Sequence, residues 1–258
     1  MKRKLAVVLL ICISCHMGWA AQDFVWKSGQ NMKVVCDTTE APVVKVALDL
    51  LKRDCRSVLS GNISRSENTG NIYVGTWGES SVLQALAETR QLDVAQLNEH
   101  KEAFLLNVLP DGRLIVAGSD KRGTAYGVLE LSRMMGVSPW EWWADAIPEK
   151  KEELRLPAGF RKLDYPQVAY RGIFINDEDW GLTPWSWKHY EPSERKGQIG
   201  PKTHARIFEL LLRLRANTFW PAMHECSIPF FFTEGNKEMA DKYAIYLGTS
   251  HCEPMMRN

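Results

Sequence analysis

The sequence predicts an α/β protein in which an N-terminal α/β sandwich precedes a segment of alternating strands and helices. Three observations lead to this prediction. Short apolar runs alternate with amphipathic stretches as far as about residue 159, and the order after residue 165 is strand, helix, strand, helix, strand. Hydrophobic residues make up 45% of the 258 residues and charged residues 24%, which is ordinary globular usage.

Residues 1–21 have the layout of a secretory signal peptide. Three cations at positions 2–4 precede the apolar run Leu5–Ile13, and small residues follow it. This run is too short for a membrane span, which needs about 20 residues. We therefore expect export to the periplasm or the medium. The alternative for the apolar run is a buried first helix or strand. Lipid anchoring at Cys15 is a further alternative, but it is disfavoured because Cys12 stands where a lipoprotein signal has a large aliphatic residue.

Residues 22–160 are expected to form the first α/β domain. Apolar runs bounded by Gly and Asp predict buried strands at 72–74 and 114–117. The run Phe104–Leu109, followed by Asp-Gly at 111–112, predicts a hairpin into the second of these strands.

Helices are predicted on either side of these strands. Apolar residues at helical intervals indicate a helix from Val43 to Leu59, and a second helix is predicted from Thr124 to Met135, ended by Gly136. Residues 148–157 are rich in Lys and Glu and show no periodicity, which predicts a linker or a surface hairpin.

Removal of the signal peptide would leave four cysteines, Cys36, Cys55, Cys226 and Cys252. An even number suits an oxidising compartment, but four are too few for a disulfide scaffold in a chain of this length. We expect mostly buried thiols, and Cys36 and Cys55 are the one nearby pair that could form a disulfide.

Residues 166–258 predict three parallel strands joined by right-handed helical crossovers. The strands are expected at 170–175, 216–220 and 244–247. The first helix opens at Gly200-Pro201, where the missing N–H of proline costs nothing, and the second covers 236–243. The buried stripe of the first helix is predicted to consist of Ile207, Phe208, Leu211, Leu212 and Leu214.

Polar and aromatic residues follow each of these three strands. They are Asn176 and Asp177 after the first, Trp220, His224 and Glu225 at the second, and His251 and Glu253 after the third. The carboxyl ends of parallel strands meet at one edge, where ligands bind. Taken alone, each cluster is better explained without a ligand, by a helix cap, a buried imidazole or a solvated carboxylate. Their joint placement predicts one binding site.

The residue types favour a carbohydrate ligand. Carboxylates in different environments can act as acid and base in glycoside hydrolysis, and indole faces pack against sugar rings. Seven of the ten tryptophans fall between Trp140 and Trp220. The sugar-stacking candidates are Trp180, Trp185, Trp187 and Trp220, whereas Trp140, Trp142 and Trp143 are expected to pack between domains.

Several function classes lack their sequence evidence. A formal net charge of +1 gives no electrostatic footprint for nucleic acid. Dinucleotide, P-loop and serine-hydrolase motifs are absent from the sequence. His224, Glu225, His251 and Glu253 offer metal-ligand types, but not in a zinc-hydrolase spacing, so no cofactor and no metal are predicted.

Long stretches of the chain resemble glycoside hydrolase family 115, the xylan α-1,2-glucuronidases. The stretches that carry the resemblance are Tyr170–Leu182 (YRGIFINDEDWGL), Gly200–Thr203 (GPKT), Leu214–Glu225 (LRANTFWPAMHE), Gly248–Met255 (GTSHCEPM), Ala117–Thr124 (AGSDKRGT) and Gly136–Asp145 (GVSPWEWWAD). The resemblance implies an exported hydrolase that releases glucuronic acid or its 4-O-methyl ether from xylan, with inversion and without a required metal. It places Asn176, Asp177 and Trp220 in the glucuronate pocket, with the other four residues on its rim or floor.

The resemblance also implies that residues 166–258 begin a TIM-type (β/α)8 barrel. A full barrel takes about 250 residues, and 93 residues suffice for about three units. We therefore expect an incomplete barrel in an N-terminal fragment that is inactive alone, with the principal acid and base beyond Asn258. The resemblance allows a homodimer of the full-length protein. A non-catalytic module for acidic oligosaccharides and a metal-dependent hydrolase remain as alternatives.

Overall fold

The computed structural model describes residues 20–89, 91–176 and 179–250. The strands are, in chain order, β1 (Phe24–Lys27), β2 (Asn31–Cys36), β3 (Asn62–Ser66), β4 (Ile72–Thr76), β5 (Phe104–Val108), β6 (Leu114–Gly118), β7 (Glu153–Leu156), β8 (Arg161–Asp164), β9 (Gly172–Phe174), β10 (Thr218–Trp220) and β11 (Tyr246–Leu247). The helices are α1 (Pro42–Leu59), α2 (Ser81–Glu88), α3 (Lys121–Met134), α4 (Leu182–Trp185), α5 (Pro201–Arg213) and α6 (Asn236–Lys242). The predicted α/β class is confirmed.

Six strands form the first sheet, in the order β3-β2-β4-β6-β5-β8. The first four are parallel, and β5 runs antiparallel to both β6 and β8. The predicted hairpin is therefore confirmed as the pair β5 and β6. Because β8 is the edge strand of this sheet, the first unit extends to Asp164.

Alternating side chains of these strands enter two cores, one on each face. Val34, Leu106 and Val116 belong to the core that includes α1 and α3, whereas their neighbours in sequence face α2 on the other side. Two-residue alternation of this kind is what places successive side chains of a strand on opposite faces. The sheet is thus covered by helices on both faces, as expected of an α/β sandwich.

The segment 148–157, predicted as a linker or surface hairpin, contains a structural strand. Strand β7 pairs antiparallel with β1, and its Leu154 and Leu156 are buried against the first core. The prediction was wrong because the charged run at 149–153 conceals the alternation of these two leucines.

Three parallel strands form the second sheet, in the order β11-β10-β9. The predicted order of strands and helices in this segment is confirmed, with α5 connecting β9 to β10 and α6 preceding β11. Each strand is two or three residues long, shorter than the apolar runs that predicted it.

Helix α5 buries its apolar stripe against the first unit. Ile207, Phe208, Leu211 and Leu212 are buried as predicted and belong to the same core as α1 and α3. Leu214 is 45% exposed, contrary to the prediction, because the helix ends at Arg213 and the chain turns away. One continuous core therefore joins the two units.

Charged side chains lock α5 onto α1. Arg213 donates to both carboxylate oxygens of Asp54 (2.8 and 3.0 Å), and both side chains are buried. Arg53 on α1 also pairs with Glu209 of α5. Buried charges persist only when paired in this way.

A carboxylate from the first unit binds the starts of the three parallel strands. Glu102 is buried just before β5 and accepts hydrogen bonds from Arg171, which precedes β9, and from Asn217 (2.8 Å), which precedes β10. Arg122 pairs with the same carboxylate (3.3 Å) and donates to the carbonyl of Ala244 (2.7 Å), just before β11. The N-terminal ends of β9, β10 and β11 are thus seated on the first unit.

Two cysteines of the first unit are buried thiols. Cys36 and Cys55 are both buried and free, so the bond left open by the sequence is not formed. Burial raises the pKa of Cys36 to about 12 and that of Cys55 to about 11, which keeps both thiols protonated. Cys252 lies outside the described residues. Within the ranges given above, none of the helices has the length and apolar character to cross a bilayer.

Three cations surround the buried carboxylate of Glu130 on α3. Burial alone would raise its pKa, but hydrogen bonds from Arg133, Lys162 and Arg215 outweigh burial and hold the pKa at about 2. A carboxyl with a depressed pKa stabilises the fold above its unfolded pKa of about 4.5, and this contribution is lost as the pH falls towards 2.

We predict that Glu130→Gln lowers the free energy of unfolding by roughly 3 kcal/mol at pH 7, the equivalent of the pKa shift. The difference from wild type should shrink as the pH falls from about 4.5 towards 2, where the wild-type carboxyl also becomes neutral. Urea unfolding at a series of pH values measures it, with the exposed Glu67→Gln as the control. A difference independent of pH would contradict this account.

Candidate functional site

The C-terminal ends of the three parallel strands meet at one edge, as predicted. The ladder continues one residue past β9 and β11, because the amide of Ile175 donates to the carbonyl of Trp220 (2.9 Å) and the amide of Gly248 donates to that of Phe219 (3.0 Å). Residues that follow Ile175, Trp220 and Gly248 therefore emerge side by side. This edge is opposite the strand starts that Glu102 binds.

Two of the predicted site residues are in direct contact there. Nε2 of His224 donates to Oδ1 of Asn176 (2.7 Å), since an amide oxygen only accepts. The pair joins the segment after β9 to the segment after β10. Oδ1 is occupied by the histidine, and the Nδ2 group of Asn176 offers two hydrogen-bond donors that no residue described by the structure uses.

Trp220 ends β10 and lies over the end of β11. Its indole is 39% exposed and packs edge-on to Phe174, with the ring centroids 6.1 Å apart. A Cβ at position 248 would overlap the indole nitrogen of Trp220, so the close approach requires Gly248. The indole is held against the sheet end and keeps part of its surface open to a ligand.

Of the other predicted site residues, the structure describes only Glu225, and it does not take part in this contact. Glu225 is exposed, and its carboxylate makes no hydrogen bond with residues that the structure describes. Asp177, His251 and Glu253 lie outside the described residues. The site as described consists of Asn176, Trp220 and His224.

The sugar-stacking candidates among the tryptophans differ in position. Trp180 follows β9 closely and is 83% exposed. Trp185 instead stacks on Tyr190 with the ring centroids 4.8 Å apart, and it also contacts Trp142 and Trp143. Trp185 therefore packs between the two units, the role that the sequence predicted for Trp140, Trp142 and Trp143. Trp140 is 48% exposed, so the prediction was wrong for this residue.

Trp187 is half-buried in the π-helical turn that follows α4. The ammonium of Lys188 lies 5.0 Å from the centre of its ring. One face of Trp187 is therefore near a cation.

Sequence analysis missed the residues that hold the loops beneath this edge. Thr183 and Ser227, both buried, are joined by a hydrogen bond of 3.1 Å that ties the segment after β9 to the segment after β10. The carboxylate of Glu191 accepts hydrogen bonds from the amides of Lys202 (3.2 Å) and Thr203 (3.0 Å) at the start of α5. Gly200 precedes α5 and has no side chain that could cap the helix. The first amides of the helix therefore need an acceptor from elsewhere in the chain, and this was the signal that the sequence offered.

Helix α5 also carries a buried neutral histidine. Nδ1 of His204 lies 3.0 Å from the carbonyl oxygen of Gly200 and 3.1 Å from Oδ1 of Asn236. Burial lowers the pKa of His204 to about 4, so the ring is uncharged at neutral pH. This histidine is a structural group of the core, linking α5 to α6.

The described part of the edge has donors and an aromatic face but few charges. Asn176 and His224 supply hydrogen bonds, and Trp220 supplies a flat apolar surface, the combination that orients a polar ring with an apolar face. Among the residues that the structure describes, three or more His, Cys, Asp or Glu side chains do not gather in a way that could hold a metal ion.

Comparison with known proteins identifies relatives of this chain. The family model described as Glycosyl hydrolase family 115 matches residues 163–258. A solved structure described as a novel family GH115 4-O-methyl-alpha-glucuronidase, BtGH115A, with specificity for decorated arabinogalactans, is 61% identical, with a TM-score of 0.86. The match covers 90% of this chain and 30% of BtGH115A, so the chain spans less than a third of that enzyme's length. Among curated proteins, none matches the sequence.

More distant structures share the fold alone. CpGH84D is 14% identical with a TM-score of 0.55, over 87% of this chain and 34% of its own. The chitobiase of Flavobacterium johnsoniae is 11% identical with a TM-score of 0.52, over 89% of this chain and 32% of its own.

We predict that Gly248→Ala lowers the free energy of unfolding by about 1 to 3 kcal/mol, because the added methyl group displaces the indole of Trp220. The matched control is the same substitution in a Trp220→Ala background, where the methyl group finds space. Urea unfolding of all four variants gives the coupling between the two sites. Strictly additive costs would show that the two residues do not contact each other.

Proposed function

Because the chain belongs to glycosyl hydrolase family 115, we propose that it forms part of an α-glucuronidase that removes 4-O-methyl-glucuronic acid side chains from a polysaccharide. The observation that carries the proposal is 61% identity over 90% of the chain to BtGH115A. Because the chain spans 30% of that enzyme, we propose the activity for the product of the complete reading frame. The 258 residues alone are proposed to be inactive.

The proposed substrate is an arabinogalactan decorated with 4-O-methyl-glucuronic acid. Support comes from BtGH115A, which is described as having specificity for decorated arabinogalactans. The resemblance found in the sequence implied glucuronoxylan, and this polysaccharide is the second candidate. Both carry the same acidic sugar, so the pocket for that sugar is proposed to be the same in either case.

We propose that the glucuronic acid binds at the C-terminal ends of β9, β10 and β11. The Nδ2 group of Asn176, directed by the hydrogen bond between Oδ1 and His224, would donate to a hydroxyl or carboxylate oxygen of the sugar. The half-exposed indole of Trp220 would pack against the apolar face of the ring. Asp177, Glu225, His251 and Glu253 are proposed as further residues of the same pocket.

The strands that carry this pocket are proposed to be the first three of a (β/α)8 barrel. Their parallel order and their helical crossovers support the proposal. Parallel strands are normally covered on both faces, yet all of β9 is exposed, including Ile173 and Phe174. This uncovered surface is consistent with neighbouring strands in the complete protein.

Catalysis is proposed to proceed with inversion, through one carboxylic acid that protonates the leaving oxygen and one carboxylate that activates water. The principal acid and base are proposed to lie in the part of the enzyme that corresponds to the remaining length of BtGH115A. The residues at the strand ends would bind and orient the uronic acid for that attack.

Two further features belong to this proposal. Residues 1–21 are proposed to direct export to the periplasm or the medium, which would bring the enzyme to plant polysaccharides. Self-association of the complete protein into a homodimer is also proposed, on the resemblance alone.

We predict that the product of the complete reading frame releases 4-O-methyl-glucuronic acid from decorated arabinogalactan, and that the 258-residue chain releases none. Anion-exchange chromatography measures the acid, with glucuronoxylan as the parallel substrate. Proton NMR at early times should show the β-anomer first, as inversion of an α-linkage requires.

Three outcomes would contradict the proposal. Absence of release by the complete protein, together with tight oligosaccharide binding by the chain alone, would favour a binding module. Activity that EDTA abolishes and zinc restores would favour a metal-dependent hydrolase. Initial release of the α-anomer would exclude inversion.

The assignment of the pocket is tested by an isosteric substitution. In the complete protein, Asn176→Asp keeps an acceptor for His224 but replaces the donor by a carboxylate that repels the uronic acid. We expect KM to rise at least tenfold with an unchanged unfolding temperature. Trp220→Ala should weaken substrate binding by about 1 to 3 kcal/mol. The control is Tyr170→Ala, an exposed aromatic residue that precedes β9, and equal kinetics in all three variants would remove Asn176 and Trp220 from the pocket.

A further inference from the structure

A cleft lined by indole rings lies where the first unit meets the segment after β9. Its volume is about 570 Å³. The lining consists of Trp142, Trp143 and Trp185, the carboxylates of Glu141 and Asp145, and Ile147. Ile147 is 84% exposed, so the cleft opens to solvent on that side.

The indole rings of this cleft are held rigidly. Trp142 packs edge-on against Trp143, with centroids 4.8 Å apart and planes at 89°. Nε1 of Trp143 donates to the carbonyl of Arg206 on α5 (3.1 Å), and the guanidinium of Arg206 lies 4.8 Å from the centre of the Trp142 ring. Tyr190 covers one face of Trp185. Rings fixed in this way lose little conformational entropy when a ligand binds.

The cleft combines apolar faces with hydrogen-bond acceptors. Indole faces accommodate the C–H surfaces of a sugar ring, and carboxylates accept hydrogen bonds from its hydroxyl groups. Glu141 and Asp145 provide those acceptors beside the three indoles. A hydroxyl-rich ring with an apolar face therefore fits this lining better than a purely apolar ligand does.

The charges of the lining favour an uncharged sugar over an anionic one. Both ionisable residues of the lining, Glu141 and Asp145, are acidic. The nearby guanidinium groups already have carboxylate partners, because Arg53 pairs with Glu141 (3.4 Å) and Glu209, and Arg206 pairs with Glu209 (3.0 Å). Because Arg53 offsets the charge of Glu141, the negative charge that a glucuronate carboxylate would meet is that of Asp145, which pairs with none of the cations that the structure describes.

We propose that this cleft binds the neutral backbone of a polysaccharide. It shares no residue with the cluster of Asn176, Trp220 and His224, so it would hold a part of the chain other than the acidic side group. The proposal rests on the proposed function in so far as the substrate is a polysaccharide. It adds that substrate recognition includes neutral sugar residues at the junction of the two units.

The test measures binding of sugars that lack uronic acid, so glucuronidase activity plays no part in the readout. Xylohexaose and a uronate-free arabinogalactan are titrated into the 258-residue chain, and quenching of tryptophan fluorescence and isothermal titration calorimetry report binding. We expect saturable binding of at least one of these probes, and weaker binding of glucuronic acid. Trp142→Ala should weaken the affinity at least about tenfold, which is roughly 1.4 kcal/mol.

Two variants keep the test independent of folding. Asp145 has a φ of 49°, a left-handed conformation that asparagine tolerates. Asp145→Asn therefore keeps the backbone while removing the charge of the acceptor, and it should weaken binding of the neutral probe about threefold or more. Tyr170→Ala removes an exposed aromatic ring away from the cleft and should bind as wild type does. Thermal unfolding confirms that each variant is folded.

Four results would overturn the proposal. The first is that neither neutral probe binds saturably, and the second is that both Trp142→Ala and Asp145→Asn leave the affinity unchanged. The third is that the chain binds glucuronic acid more tightly than the neutral probes. The fourth is that the chain self-associates in sedimentation equilibrium and that Trp142→Ala removes this association. The last result would assign the cleft to a second copy of the chain. If the complete protein lacked glucuronidase activity while the chain still bound the neutral probes, the proposed function would be contradicted and the assignment of this cleft would stand.

Discussion

The buried carboxylate of Glu102 is the interaction on which the second half of the structure depends. It binds Arg171 and Asn217, which lie 69 and 115 positions away in sequence, at the starts of β9 and β10. Through Arg122 it also reaches the carbonyl before β11. Removing one partner of such a buried ion pair typically costs about 3 to 5 kcal/mol. The residue itself has a φ of 54°, a left-handed conformation that persists only where surrounding contacts enforce it.

The position of the candidate site follows from the way in which Glu102 fixes the starts of the three strands. When the starts of three parallel strands are fixed on one surface, their C-terminal ends must emerge together on the opposite edge. Asn176 and His224 meet there, although they lie 48 positions apart. The ion pair of Asp54 and Arg213 adds a second constraint, because it fixes the crossover helix α5 against α1. The first unit is therefore a structural base for the edge that carries the proposed pocket.

The order of elements could be predicted from the sequence, because apolar periodicity is a local property. Helix α1 was predicted from it, the hairpin of β5 and β6 from the Asp-Gly pair between two apolar runs, and the parallel order of β9 to β11 from the alternation of strands and helices. Predictions failed where a local pattern was obscured or ended. The charged run before β7 concealed the alternation of Leu154 and Leu156, and the end of α5 at Arg213 left Leu214 exposed.

The polar interactions between distant residues could not be predicted in the same way. Glu102 looks like any loop carboxylate in the sequence, and its partners are defined only by the fold. The same holds for Glu191, which binds the start of α5 from ten positions before the helix. The site residues Asn176, Trp220 and His224 could be predicted from their positions at strand ends, because the topology of parallel strands brings those ends together. The contacts of Trp185 could not be predicted, because an indole that packs against neighbouring aromatic rings and an indole on an open strand end look the same in the sequence.

Hydrogen exchange in a Glu102→Gln variant tests this account most directly. Glutamine keeps the shape of the side chain but removes the charge that Arg122 and Arg171 require. We expect faster exchange of the backbone amides of residues 171–175, 217–220 and 245–248, with protection in β4 and β6 unchanged. The exposed neighbour Glu99→Gln serves as the control. Unchanged protection of β9, β10 and β11, or an equal loss of protection in β4 and β6, would contradict the claim that this carboxylate seats the three parallel strands.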